Sequence, residues 1–160
     1  MKFITQEVID LLNYRIQQEQ YSSKIYEQMY LYLANESFFN AAKVWKKFSE
    51  EELSHAEWAK DYLMSFNIMP ELMQIDEPPN NFSSIEDIIQ QTFDHEVLVT
   101  QQCLDLTKKA FTLQDFTLLE LGLKFNKEQK EEMDKAYGLL DVMRLTSDKL
   151  ILDKYIGENF

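Results

Sequence analysis

Four glutamates and one histidine stand where a helical protein would place apolar side chains. Glu19, Glu52, Glu96 and Glu132 each interrupt an apolar or aromatic run read at helical spacing, and His55 follows Glu52 by three residues. A spacing of three puts two side chains on one helix face, on successive turns. Four inward carboxylates at one depth cannot stay ionised and unpaired, because each loses hydration and each repels the others. None of the four runs contains a Lys or Arg. Protonation, water or a metal ion remain as solutions. The imidazole argues for metal, and oxygen donors with one imidazole suit iron or manganese better than a closed structural zinc site.

The elements that must position these residues follow from periodicity. Apolar residues stepping by four and three predict four long helices. The first spans about Gln6 to Asn35, with Thr5 as N-cap, and carries Ile9, Leu12, Ile16, Glu19, Ser23, Tyr26, Tyr30 and Leu33 inward. The second spans about Phe38 to Phe66 and points Trp45, Phe48, Glu52, His55 and Ala59 inward. The third starts after Ser83, where Ser83 with Glu86 has the capping-box spacing, and runs to about Thr112 with Thr92, Glu96, Val99 and Cys103 inward. The fourth covers about Asp115 to Leu145, with Phe125, Gln129, Glu132 and Ala136 inward. In each, the glutamate falls near the middle, so a bundle brings all four into one layer. A short fifth helix is expected from about Asp148 to Ile156, stopped by Gly157. All three prolines lie between Pro70 and Pro79, so the stretch from about Asn67 to Phe82 reads as one long connection. Two helix pairs joined by a long crossover make an all-α four-helix bundle, a single domain over residues 1–160.

Composition excludes other classes. Three glycines and three prolines in 160 residues are too few for the turns of an all-β protein. With 28 acidic against 16 basic residues the net charge is -12, which repels phosphate backbones, so no nucleic-acid partner is expected. No apolar stretch is long enough for a membrane span, and the N-terminal Met1 to Glu7 shows no apolar signal core. The lone Cys103 cannot pair within its chain and fits a reducing compartment. The expected location is the cytoplasm.

A glutamate from each of two helices plus Glu-x-x-His from the other two is the ligand pattern of di-iron carboxylate bundles. Glu52-Leu53-Ser54-His55 fits, but the fourth helix reads Glu132-Met133-Asp134-Lys135, with Gln129 one turn earlier. Glu19-Gln20-Tyr21-Ser22-Ser23 with Tyr26, Glu51-Glu52-Leu53-Ser54-His55, Glu96 and Glu128-Gln129-Lys130-Glu131-Glu132 together resemble the bacterial non-haem ferritins over nearly the whole chain. That resemblance implies iron storage with ferroxidase activity. It assigns Glu19, Glu52 and His55 to a first iron. It makes Glu52 the bridge to a second iron, held also by Glu96 and Glu132, with Gln129 near the bound oxygen. It places Tyr26 beside the centre, and gives Glu51, Glu128, Glu131 and Glu132 a third iron. It further implies a hollow shell of twenty-four subunits with the fifth helix at the fourfold axis, and dioxygen or peroxide as oxidant.

The departures are informative. Lys135 stands where haem-containing relatives and rubrerythrins repeat the histidine, so no haem is expected, and no Cys-x-x-Cys pair supplies a rubredoxin module. Leu119 and Gly122 occupy positions that are acidic in the threefold channels of animal ferritins. Glu51, Glu128 and Glu131 show no evident basic partner on this reading. His95 neighbours Glu96 and is expected to be exposed. The rival readings are a non-storing di-metal oxidoreductase of the same fold, and a structural bundle with no tight metal.

Overall fold

The computed structural model describes residues 3–160, and the N-terminal reading falls partly on residues 1 and 2, outside the described residues. Its elements are α1 (Gln6–Asn35), α2 (Phe39–Ser65), α3 (Ile85–Thr112), α4 (Phe116–Leu145) and α5 (Lys149–Asn159). Among the described residues every regular element is a helix. No helix is long and apolar enough to cross a membrane among those residues.

The starts of the helices are set by side chains that satisfy free backbone N–H groups. Thr5, Asp115 and Asp148 cap α1, α4 and α5. The α3 cap is Ser84 rather than Ser83: Ser84 Oγ accepts the Asp87 N–H at 3.1 Å, while Asp87 accepts the Ser83 N–H at 2.9 Å. The serine cap therefore lies one residue later than the Ser83–Glu86 spacing suggested, and Asp87 reaches back to the residue before the cap. The α2 start has no cap of its own. Asp153 of α5 supplies one across space, accepting the Ala41 N–H and the Asn40 amide, both at 2.8 Å.

Three helices end on a left-handed residue that is not glycine: Ser37, Asn67 and Gln114, with φ of 68°, 59° and 53°. After each, the next N–H returns to the carbonyl five residues before it, as from Phe38 to Leu33 at 2.8 Å. This closes the last turn in the manner glycine usually allows. Gly157, expected to stop α5, lies inside it. Its use is proximity: a Cβ there would stand 2.6 Å from Asn40 Cβ, so α5 could not approach α2 so closely.

Helix α1 packs chiefly on α2 and α3 on α4. The long crossover is tied to α1, where buried Asn13 accepts the Glu71 N–H at 3.0 Å. The core is divided in two. One apolar cluster contains Met29, Leu33, Trp45, Phe48, Ile88 and Leu139; the other contains Leu12, Ile16, Leu63, Val99, Leu106 and Phe125. Between them lies the polar layer. One face of α5 closes the first cluster with Leu152 and Ile156, while Leu150, Ile151 and Tyr155 remain exposed.

Candidate metal centre

The layer contains all four glutamates expected in it. Glu19, Glu52, His55, Glu96, Gln129 and Glu132 are all buried, with exposures between 1% for Glu19 and 7% for Glu132. Their burial follows from the seam: each lies in register with the apolar residues one turn above and below it. His55 Nδ1 is 3.0 Å from Glu52 Oε2 and 3.7 Å from Glu19 Oε2. One ligand atom from each of Glu19, Glu52 and His55 lies within 4.8 Å of the others, the geometry of a common cation site. Glu19 Oε2 is buried without any hydrogen-bond partner, an expensive state unless something positive stands beside it.

The other half of the layer is differently tied. Tyr26 donates its hydroxyl to Glu96 Oε1, and the Gln129 amide donates to Glu96 Oε2. Gln129 is thus on the layer, one turn from Glu132, as its spacing predicts. Glu132 joins a second converging group with His55 and Glu128. His55 Nε2 lies 3.3 Å from Glu128 Oε1, so the imidazole stands between the two groups.

Electrostatics of the layer follow from burial and repulsion. Burial pushes the Glu19 carboxyl up, but Arg15 and His55 overcome it and hold it at about 2. Burial and the Glu19 charge push Glu52 well above the usual carboxylate range. Glu96 rises to about 7, through burial and the charge of Glu132, against the hydrogen bonds of Tyr26 and Gln129. Burial opposes the imidazolium of His55, but the nearby Glu19 and Glu52 carboxylates, the latter hydrogen-bonded to Nδ1, raise it to about 11. Without a metal, protons therefore neutralise part of the layer, and a metal must displace them.

Two basic residues off the seams bear on this balance. Arg15 is 2% exposed, with Nε 2.9 Å from Glu19 Oε1 and Nη1 donating to Gln102 Oε1 at 3.0 Å. Lys135 Nζ donates to Glu132 at 2.8 Å and to Glu51 at 3.2 Å. The seams hold no cation, but cations on flanking positions reach the seam carboxylates with long side chains. The expectation that Glu51 has no basic partner is therefore overturned, since Lys47 also stands 3.6 Å away. Among the described residues neither Glu51 nor Glu131 joins a converging ligand group, and Glu131 is exposed.

His95 is also corrected. It is half-buried, not exposed, with Nε2 2.8 Å from Ser22 Oγ and its ring edge-on to Tyr26 at 5.7 Å. Position 95 is turned about 100° from Glu96, which aims it into the groove between α1 and α3 instead of at solvent. Burial lowers it to about 4, so it is a neutral ring. Trp58 packs on His55 with ring centroids 4.8 Å apart and under Lys124 at 4.1 Å. Its spacing of three from His55 was the available signal.

A four-helix bundle with a crossover and a buried carboxylate–histidine layer defines a class of ferritin-like proteins. The family described as Ferritin-like domain matches residues 9–146, and the chain belongs to it. It is 30% identical to the bacterial non-heme ferritin of Escherichia coli over 139 residues, 87% of this chain and 84% of that protein. Against the bacterial non-heme ferritin of Campylobacter jejuni it is 27% identical over 157 residues, covering 96% and 94% of the two chains. The solved open pore ferritin of the archaeon Archaeoglobus fulgidus superposes with a TM-score of 0.93 at 27% identity, over 98% of each chain.

Proposed function

We propose that this chain is an iron-storing ferroxidase acting in the cytoplasm. The observation that carries the reading is the convergence of Glu19, Glu52 and His55 around the unpartnered, buried Glu19 Oε2. Iron is the substrate. Glu19, Glu52 and His55 hold the first Fe(II), with Nδ1 of His55 turned to the layer. Glu52 bridges to a second, which Glu96 and Glu132 complete, with Gln129 and Tyr26 fixing Glu96.

The residues supply charge, geometry and protons. Binding of the two cations displaces protons from the layer, because carboxylates ligate in their ionised form. Anionic ligands stabilise Fe(III) more than Fe(II), since the interaction grows with ionic charge. Each Fe(II) releases one electron. Two electrons and two protons convert dioxygen to hydrogen peroxide, or hydrogen peroxide to two waters. The apolar clusters on both sides keep bulk water from the layer.

Ferric iron then passes to a mineral core in a shell of twenty-four copies. Supporting this is the apolar surface that one copy leaves open: Leu145 is 84% and Leu150 83% exposed, larger side chains than an isolated domain gains from showing to water. The test is aerobic Fe(II) addition to the purified protein, followed by stopped-flow absorbance and particle sizing. Rapid oxidation with a large hollow particle is expected. Oxidation by particles no larger than dimers would leave a non-storing di-metal oxidoreductase, and no oxidation would remove the centre.

A further inference from the structure

The open edge of the layer, between α2 and α4, is where resemblance places a third iron. A basic side chain already pairs with two of the carboxylates there. Of the four carboxylates that resemblance assigns to it, Glu51 and Glu132 already hold the Lys135 nitrogen between them, 3.2 Å from one and 2.8 Å from the other. The ammonium is held on its remaining side by the Phe48 ring, 4.9 Å from the centroid, a cation–π contact with a packed wall. Glu51 is drawn further outward by Lys47. Glu128 is turned inward to His55 Nε2. Lys127 and Lys130 line the same hollow of about 850 Å³ with Glu51, Glu128, Glu131 and Lys135, so three lysines face the carboxylates.

We propose that the ammonium of Lys135 occupies the third-cation position as an internal, covalently attached cation, and so limits this chain to two irons per subunit. The proposal rests on the reading of the layer as a two-metal centre. A lysine nitrogen and a metal ion cannot both stand between the Glu51 and Glu132 oxygens. A metal at this edge must first break two ion pairs and then sit beside the displaced positive charge. The lysine is tethered three residues from Glu132, so its effective concentration at the site is high and does not fall on dilution. Like charges a few ångströms apart at a partly wetted edge weaken binding on the order of a hundredfold. The role is one of specificity in stoichiometry, since the ion pairs of Lys135 are with Glu51 and Glu132 and with none of Glu19, Glu52 or Glu96.

The experiment is anaerobic titration with Zn(II), which is redox-inert, in the presence of a competing chelator. Wild type, Lys135→Gln, Lys135→Arg, Glu52→Ala and the double variant Lys135→Gln/Glu51→Gln are compared. Lys135→Gln should hold one more zinc per subunit than wild type, with about a hundredfold gain at that site. Lys135→Arg keeps the charge and should match wild type. The double variant should lose the added ion, which separates this edge from any other surface site. Equal counts in wild type and Lys135→Gln would overturn the proposal. So would an added ion that survives Glu51→Gln. If Glu52→Ala binds as many ions as wild type, the two-metal centre itself fails, and the proposal falls with it. Crystals of Lys135→Gln soaked in zinc give a second readout, expected to show metal between Glu51 and Glu132.

Discussion

Arg15 and Lys135 stand against the same carboxylate layer from opposite sides, and they do different things. Arg15 is buried with Glu19, their side chains 3% and 2% exposed. Lys135 is 29% exposed and reaches the layer only at its rim. A guanidinium held out of water cannot leave without stranding Glu19, so Arg15 is part of the fold. An ammonium at a wetted rim can be lost without stranding a fully buried charge, so in the proposed reading Lys135 governs what binds there instead of holding the fold. The same charge is structural on one side and selective on the other because burial differs.

The largest effect that can break this picture is on the layer itself. Glu52→Ala should abolish fast Fe(II) oxidation in stopped-flow absorbance, because in the proposed function this one carboxylate serves both irons. The metal-free variant should keep wild-type thermal stability or gain some, since a repelled, buried carboxylate is removed. Wild-type oxidation rates would remove Glu52 from the bridging position.

The comparison of the two cations is tested next by stability. Arg15→Leu leaves Glu19 buried beside His55 alone and should cost about 3 kcal/mol in chemical denaturation, as for other broken buried pairs. Lys135→Leu should change stability by no more than about 1 kcal/mol, since rim pairs are screened by water. Equal costs would erase the distinction drawn between them.

A subtler effect lies in pH. Glu96 has its folded value raised to about 7 from 4.5, so its contribution to metal-free stability is full below 4.5 and is lost as pH rises through 7. Its neighbour His95 has its folded value lowered to about 4 from 6.5, so its contribution is full above 6.5 and is lost as pH falls through 4. The two slopes oppose each other between these limits. Glu96→Gln should therefore steepen the loss of melting temperature in acid, and His95→Gln should make the metal-free protein gain stability as pH falls from 7 to 5. The same slope in both variants would show that the pair does not titrate in opposite senses.

The smallest expected effects are at helix starts. Asp153→Ala removes the cross-helix cap of α2 and should cost about 1–2 kcal/mol, with α5 amides losing hydrogen-exchange protection. Ser84→Ala should cost about 1 kcal/mol. Ser83→Ala should cost less, because Ser83 contacts Asp87 in the exposed first turn.

Much of the fold was legible because the helices are long and their apolar seams regular. The bounds of α1 coincide with the reading from Gln6 to Asn35, and those of α2 and α4 differ by a residue at one or both ends. The misses are local. Gly157 was taken as a stop, whereas it is a close-approach position inside α5. Ser37 and Gln114 close helices in the left-handed region with residue types that do not announce it, whereas Asn67 is a type that tolerates it. At the centre, all the seam residues were legible, from Glu19 to Glu132. The flanking partners were not read, although Arg15 stands four residues before Glu19 and Lys135 three after Glu132 on the same helices. Their further contacts with Gln102 and Glu51, and that of His95 with Ser22, cross between helices and left no signal in the sequence.

The amino-acid sequence alone determined that this protein is a helical bundle with four carboxylates and a histidine at one depth, because periodicity along a single helix states which face is inward. It also determined that the fourth helix carries Lys135 in place of a second histidine. Only the tertiary structure decided which charges are compensated and by what. Arg15 with Glu19, Tyr26 and Gln129 with Glu96, and Lys135 between Glu51 and Glu132 depend on how far each side chain reaches and on what faces it. Hydrophobic periodicity is a property of one helix, whereas the neutralisation of a buried charge depends on atoms a few ångströms away, of which several belong to other helices.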